Sequence, residues 1–101
     1  MNQLDFYVGE KQHHGGMPLY EWLLEEARGL GIHGGSAFRA IAGFGRHGRL
    51  HEETFFELAG ELAVKVEFIL DDDQTEQLLQ RVRGQKLDIF YLRCPVQAGI
   101  A

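Results

Sequence analysis

Nine consecutive residues alternate without a break: Leu62, Val64, Val66, Phe68 and Leu70 on one side, Ala63, Lys65, Glu67 and Ile69 on the other. A period of two belongs to an extended strand, where successive side chains leave opposite faces; a helix would scatter the same residues around its circumference. The run therefore predicts a strand with one apolar face and one mixed face. Asp71-Asp72-Asp73 follows at once, and short carboxylates favour helix N-caps; Asp73 and Glu76 have the spacing of a capping box. Leu78, Leu79 and Val82 then fall on one helical face, and the pattern stops at Gly84. A strand turning directly into an amphipathic helix is half of a β-α unit, and the rest of the chain has to supply its partners.

The first partner lies at the start. Leu4, Phe6 and Val8 alternate with Asp5 and Tyr7, which predicts a strand from Gln3 to Val8. Gly9 to Gly16 reads as a polar loop containing His13 and His14, and Pro18 suits the first turn of a helix, where its missing N–H is not needed. Leu19, Trp22, Leu23, Ala27 and Leu30 recur at helical spacing, with Gly31 placed as the residue after the C-cap. Gly34-Gly35 leads to a second strand, Ser36 to Ala42, ending in Gly43-Phe44-Gly45. Residues 46–61 form a long loop or an extended hairpin arm. Leu87 to Cys94 is the fourth strand, closed by Pro95, and Val96 to Ala101 is a frayed or docked tail. The order β-α-β-β-α-β predicts an α+β, ferredoxin-like fold: a four-stranded antiparallel sheet with two helices on one face, in a single domain spanning residues 1–101.

Such a sheet leaves one face without helices, and its composition is informative. The fourth strand is apolar on both sides, with Ile89 and Tyr91 on one and Phe90 and Leu92 on the other. Phe38 and Ala40 oppose Ala37 and Ile41, and Tyr7 and Ile69 point away from the main apolar faces. A sheet face meeting water is more polar than this. Apolar residues mixed there with Lys65, Glu67 and Arg39 predict a subunit interface rather than a solvated surface.

The net charge of -5 disfavours general nucleic-acid binding, which needs a basic stripe, and the strands lack the basic-aromatic pattern of an RNA-binding sheet. Cys94 is the only cysteine, so no disulfide forms within the chain, as suits a reducing compartment. No apolar run approaches the ~20 residues of a membrane span, and the first residues lack the basic and apolar regions of a signal peptide. The expectation is a cytoplasmic protein that is not membrane-embedded.

The segment with most chemical potential is Gly43-Phe44-Gly45-Arg46-His47-Gly48-Arg49-Leu50-His51-Glu52. Glycines at a strand end permit positive φ and close approach of backbone to a ligand, and successive N–H groups there can cradle an anion. Arg46 and Arg49 add guanidinium groups that match phosphate geometry. A β-bulge followed by a solvated loop would use the same residues.

The stretch Gly34 to Arg46 resembles the second strand and T-loop entrance of PII signal-transduction proteins, which share a Gly-Phe-Gly-Arg motif followed by a glycine, a histidine and an acidic residue, here Gly48, His51 and Glu52. Val8-Gly9-Glu10, followed by Gly16-Met17-Pro18-Leu19-Tyr20-Glu21, narrows the likeness to a small, uncharacterised bacterial PII-like family known as a domain of unknown function. The resemblance implies a homotrimer whose sheets face one another, with ligands, often adenine nucleotides, held in clefts between subunits. It implies ligand contacts at Gly43, Gly45 and Arg46, with Arg49, Lys86 and Arg93 as further cationic candidates. It also implies a T-loop over residues 46–61 that reports occupancy to a transporter or metabolic enzyme. No cofactor is required.

The sequence departs from PII in three places. The phosphate-binding B-loop is reduced to Arg83-Gly84-Gln85-Lys86, the basic C-terminal segment to Arg93, and the T-loop contains no tyrosine for nucleotidylation. A ligand smaller than ATP, or differently charged, fits these losses. Two further readings stay open. His47 and His51 are candidate ligands for a divalent metal, making the protein a metal-binding or metal-tolerance trimer, although their spacing is not that of a zinc motif. An enzyme in the same cleft would use His51 with Glu52 or Glu53 as a general base; the expectation here is a non-enzyme.

Overall fold

In a computed structural model of the chain, the described residues are 1–44 and 62–101. They form β1 (Asn2–Gly9), β2 (His13–His14), β3 (Met17–Pro18), α1 (Leu19–Gly29), β4 (Ser36–Arg39), β5 (Ala63–Leu70), α2 (Asp72–Arg83) and β6 (Phe90–Pro95). The main sheet has the order β4-β5-β1-β6, and all three pairings are antiparallel. This is the ferredoxin-like α+β architecture expected from the sequence. The predicted loop 46–61 lies outside the described residues.

One core holds the fold together. Leu4, Phe6 and Val8 of β1 and Val64, Val66, Phe68 and Leu70 of β5 form its floor. Leu19, Trp22, Leu23 and Ala27 of α1, with Leu78, Leu79 and Val82 of α2, form its roof. Both helices therefore cover the same face, as the alternation in β1 and β5 requires. The register aligns Phe6 with Val66 and Val8 with Val64. At the approach to β4, a Cβ on Gly35 would stand 2.4 Å from Phe68 Cε1, so the chain passes over the ring only because Gly35 has no side chain.

Several boundaries differ from the expectation. α2 begins earlier: its N-cap is Asp71, not Asp73, and the capping box joins Asp71 to Gln74, not Asp73 to Glu76. Gln74 N donates to Asp71 Oδ1 at 2.7 Å, and Asp71 N donates to Gln74 Oε1 at 3.3 Å. The cause is the sheet: Leu70 still pairs with Asn2, so Asp71 is the first residue free to turn. β4 stops at Arg39 instead of reaching Ala42, because its partner β5 starts at Ala63. Arg39 is also not on the helix-free face. It stands opposite the buried Val64, and its Nε donates to Glu10 Oε2 at 2.9 Å. The segment read as a plain polar loop contains the β2–β3 hairpin, with Gly15 at φ 62 and Gly16 at φ 80 supplying its turn.

A second polar contact pins α2 to the start of β1. Asn2 Nδ2 donates to Asp72 Oδ1 at 2.7 Å and to Thr75 Oγ1 at 3.2 Å. The Asn2 hydrogen bond, aided by the N-terminal ammonium and Arg93, holds the Asp72 carboxyl below its ordinary value of 3.8. Ionised Asp72 therefore stabilises the folded chain. That contribution is full above pH 3.8 and fades as pH falls through the lower folded value. Asp72→Asn should flatten the fall of the melting temperature with acidification below pH 3.8, while the wild type falls more steeply; thermal melts across that range measure it.

Candidate functional site

A concave feature lies where α2 gives way to β6. A cleft of about 490 Å³ is lined by Arg83, Lys86, Asp88 and Tyr91 above an apolar base that includes Phe6 and Leu79. Arg83 Nη2 donates to Tyr91 Oη at 3.4 Å, which holds the guanidinium over the cleft. The connecting segment reverses twice: Lys86 and Asp88 both adopt φ 55. Left-handed backbone is uncommon for a lysine and costs energy that surrounding contacts must offset. These turns delay β6 to Phe90, three residues after its predicted start. They also place two cations, a phenol and a carboxylate around one opening.

His14 supports this segment from the other side. Its ring meets Trp22 edge-on at 4.8 Å between centroids, and its Nε2 lies 3.1 Å from Gln85 Oε1. The β2–β3 hairpin thus touches the same turn that carries Lys86. His13, by contrast, is exposed and has Nδ1 2.9 Å from its neighbour Lys11's carbonyl oxygen.

The residues expected at the site are spread over the molecule. Lys86 lies in the cleft. Gly43 follows β4 at the opposite edge of the sheet, although at the same end, since Ala40 N bonds Ala63 O and Ala63 pairs with Gly9. β5 and β1 stand between these edges, a separation of three strand spacings or roughly 14 Å. Gly43 is not in the left-handed region, and a Cβ there would meet nothing within 4 Å. Arg93 lies toward the other end of β6, level with Leu4, and ion-pairs with Glu76 and Asp72 on α2. The Glu76 hydrogen bond raises its pKa further, holding the guanidinium in place. Gly45, Arg46 and Arg49, with the metal candidates His47 and His51 and the acid–base candidates Glu52 and Glu53, lie outside the described residues. Among the described residues, no group of three or more His, Cys, Asp or Glu side chains is placed to hold a metal ion. No described helix is long and apolar enough to cross a membrane.

The helix-free face is the second notable surface. Gln3, Asp5 and Tyr7 of β1 share it with Phe38 of β4, Lys65, Glu67 and Ile69 of β5, and Phe90 and Leu92 of β6, by the register of the sheet. Phe38, Ile69, Phe90 and Leu92 are 49, 43, 59 and 44% exposed, although each is large and apolar. The Tyr7 and Phe90 rings lie 5.8 Å apart between centroids, tilted by 55°, and Lys65 Nζ stands 5.2 Å above the Phe38 ring. Sequence periodicity pointed to these apolar positions. It did not single out Asp88, Tyr91 or Asp5. Asp88 gains its place through a backbone turn that no glycine marks, and Asp5 reads as an ordinary outward polar residue in an alternating strand.

Residues 1–97 match the DUF190 family, described as "Uncharacterized ACR". The chain belongs to the DUF190 family. The PII-like likeness read from Gly34 to Arg46 is consistent with that membership. This DUF190 chain is also 33% identical over 82 residues to a UPF0166 protein of Aquifex aeolicus (strain VF5), an alignment covering 81% of this chain and 78% of that protein.

Proposed function

We propose that this DUF190 protein is a cytoplasmic PII-like regulator, not an enzyme, that binds a small anionic ligand in clefts between the copies of a homotrimer. An adenine nucleotide is the first ligand to test. One observation carries the reading: Lys86 and Arg83 line a cleft at one edge of the sheet, while Gly43-Phe44 lies at the same end but beyond two intervening strands. A single chain keeps these apart, whereas copies arranged edge to edge bring one chain's cationic cleft to the next chain's glycine segment. The apolar helix-free face supports association, because a lone chain gains nothing from exposing Phe38, Phe90 and Leu92. In this reading Arg46 and Arg49 complete the anion site, and the 46–61 segment conveys occupancy to a transporter or metabolic enzyme. No resident cofactor is needed.

Calorimetry with ATP, ADP, AMP and cyclic AMP tests the proposal, with divalent metals titrated in parallel. A charge-assisted hydrogen bond contributes enough that Lys86→Ala should weaken the bound nucleotide about tenfold or more, with assembly unchanged by light scattering. Absence of nucleotide binding, or an affinity indifferent to Lys86→Ala and Arg46→Ala, would refute the site.

A further inference from the structure

The cleft at the turn into β6 holds opposite charges that do not neutralise one another. Arg83, Lys86 and Asp88 line one opening. Among the described residues, the side chains of Lys86 and Asp88 form no ion pair or hydrogen bond, and Arg83 has only its long contact with Tyr91 Oη. Lys86 and Asp88 are also the two non-glycine residues with positive φ among those described, both at φ 55. An aspartate tolerates this region better than most side chains; a lysine has no such advantage. Backbone strain of this kind concentrates where ligands are held. An ammonium and a carboxylate two residues apart are well placed to pair, yet here both stay open to the cleft.

A carboxylate in that position sorts ligands. It repels a molecule that is anionic throughout, such as pyrophosphate, because a like charge stands beside the cations that attract it. It favours a molecule with hydrogen-bond donors next to its anion, since an ionised carboxylate only accepts. The neighbouring hydroxyls of a ribose are such donors, and carboxylates recognise them in other nucleotide sites. Leu87 and Ile89, both partly buried, give the same cleft an apolar surface on which a planar base can lie. A volume of about 490 Å³ is within the range of small-molecule sites.

We propose that Asp88 accepts hydrogen bonds from the ribose hydroxyls of a nucleotide whose phosphate sits on Lys86 and Arg83, so that the cleft selects ribonucleotides over dideoxynucleotides and over phosphate chains without a sugar. The proposal rests on the anion-cleft reading above and adds the group that chooses among anions. Asp88 is exposed, and its turn needs a residue that accepts φ 55, not a charge. Glycine or asparagine keeps that backbone, so the carboxylate can be removed without undoing the turn.

Calorimetry tests the assignment with AMP and ATP, each beside its 2′,3′-dideoxy counterpart, and with inorganic pyrophosphate. The wild type should bind the ribonucleotide about tenfold or more tighter than the dideoxynucleotide, as expected for losing a charge-assisted hydrogen bond. Asp88→Gly should weaken the ribonucleotide by about the same factor, spare the dideoxynucleotide and tighten pyrophosphate. A merely structural role would weaken all the probes together. Asp88→Asn should change affinities in the same directions and stands in if Asp88→Gly loosens the turn; circular dichroism verifies the fold. If the wild type does not distinguish ribose from dideoxyribose, or if both substitutions weaken every probe alike or none, the role of Asp88 is overturned, and the cleft reading survives where Lys86→Ala still weakens the nucleotide. If neither AMP nor ATP binds, or Lys86→Ala leaves the affinity unchanged, both are overturned.

Discussion

Replacing Gly35 with alanine should destabilise the chain by about 1–3 kcal/mol, the usual range for forcing a methyl group into a filled core. The added Cβ would lie 2.4 Å from Phe68 Cε1, 2.7 Å from Phe68 Cδ1 and 3.2 Å from Leu24 Cδ2. Phe68 cannot simply retreat: it is 2% exposed and meets Phe6 edge-on at 6.4 Å. Gly35 is not in the left-handed region, so backbone conformation adds no further penalty. The expected melting temperature is lower by about 4–8 °C per kcal/mol for a domain of this size. Phe68→Leu shortens the obstructing ring, so Gly35→Ala should cost clearly less in that background, and denaturant titrations of the four chains measure the coupling. Equal costs in both backgrounds would show that the ring is not what excludes the side chain. The result bears on the proposed site because Gly35 steers the chain into β4, which leads to Gly43.

Leu92→Glu should break the proposed self-association while leaving each chain folded. Leu92 is 44% exposed and outside the core, so a carboxylate there remains hydrated in a single chain. In an assembly it would be buried among Phe90, Ile69 and the existing carboxylates Asp5 and Glu67. An unpaired charge at the centre of an interface is among the most damaging substitutions, and the dissociation constant should rise on the order of a hundredfold. Light scattering across concentrations gives the mass, and circular dichroism verifies the fold. An unchanged mass would remove the helix-free face from consideration as the contact surface.

The alternation at Leu62 to Leu70 was enough to place β5 and its buried side, and the matching pattern in Leu4, Phe6 and Val8 placed β1 beside it. The helical stripes were equally readable because both helices have only one covered face. What escaped the sequence depended on neighbours distant along the chain. Three aspartates in a row are equivalent as local caps; the pairing of Leu70 with Asn2 selects Asp71. Arg39 looked like an outward cation until the register set it against Val64 and within reach of Glu10. Lys86 was recognisable as a cation after a helix. Its left-handed backbone, its company with Tyr91 and its remoteness from Gly43 follow from tertiary packing that no local pattern encodes.

The position of β1 has a consequence for how the molecule is made. It is flanked on both sides, by β5 and by β6, and its residue Asn2 pairs with Leu70 on one side and Pro95 on the other. β1 therefore waits for β6, far along the chain, before its second edge is closed. Folding governed by such distant pairings is slow relative to a helical protein of equal length. During that interval β1 presents an open edge of unpaired backbone N–H and C=O groups, and a nascent chain stalled before Phe90 is the form most prone to pair with the wrong strand.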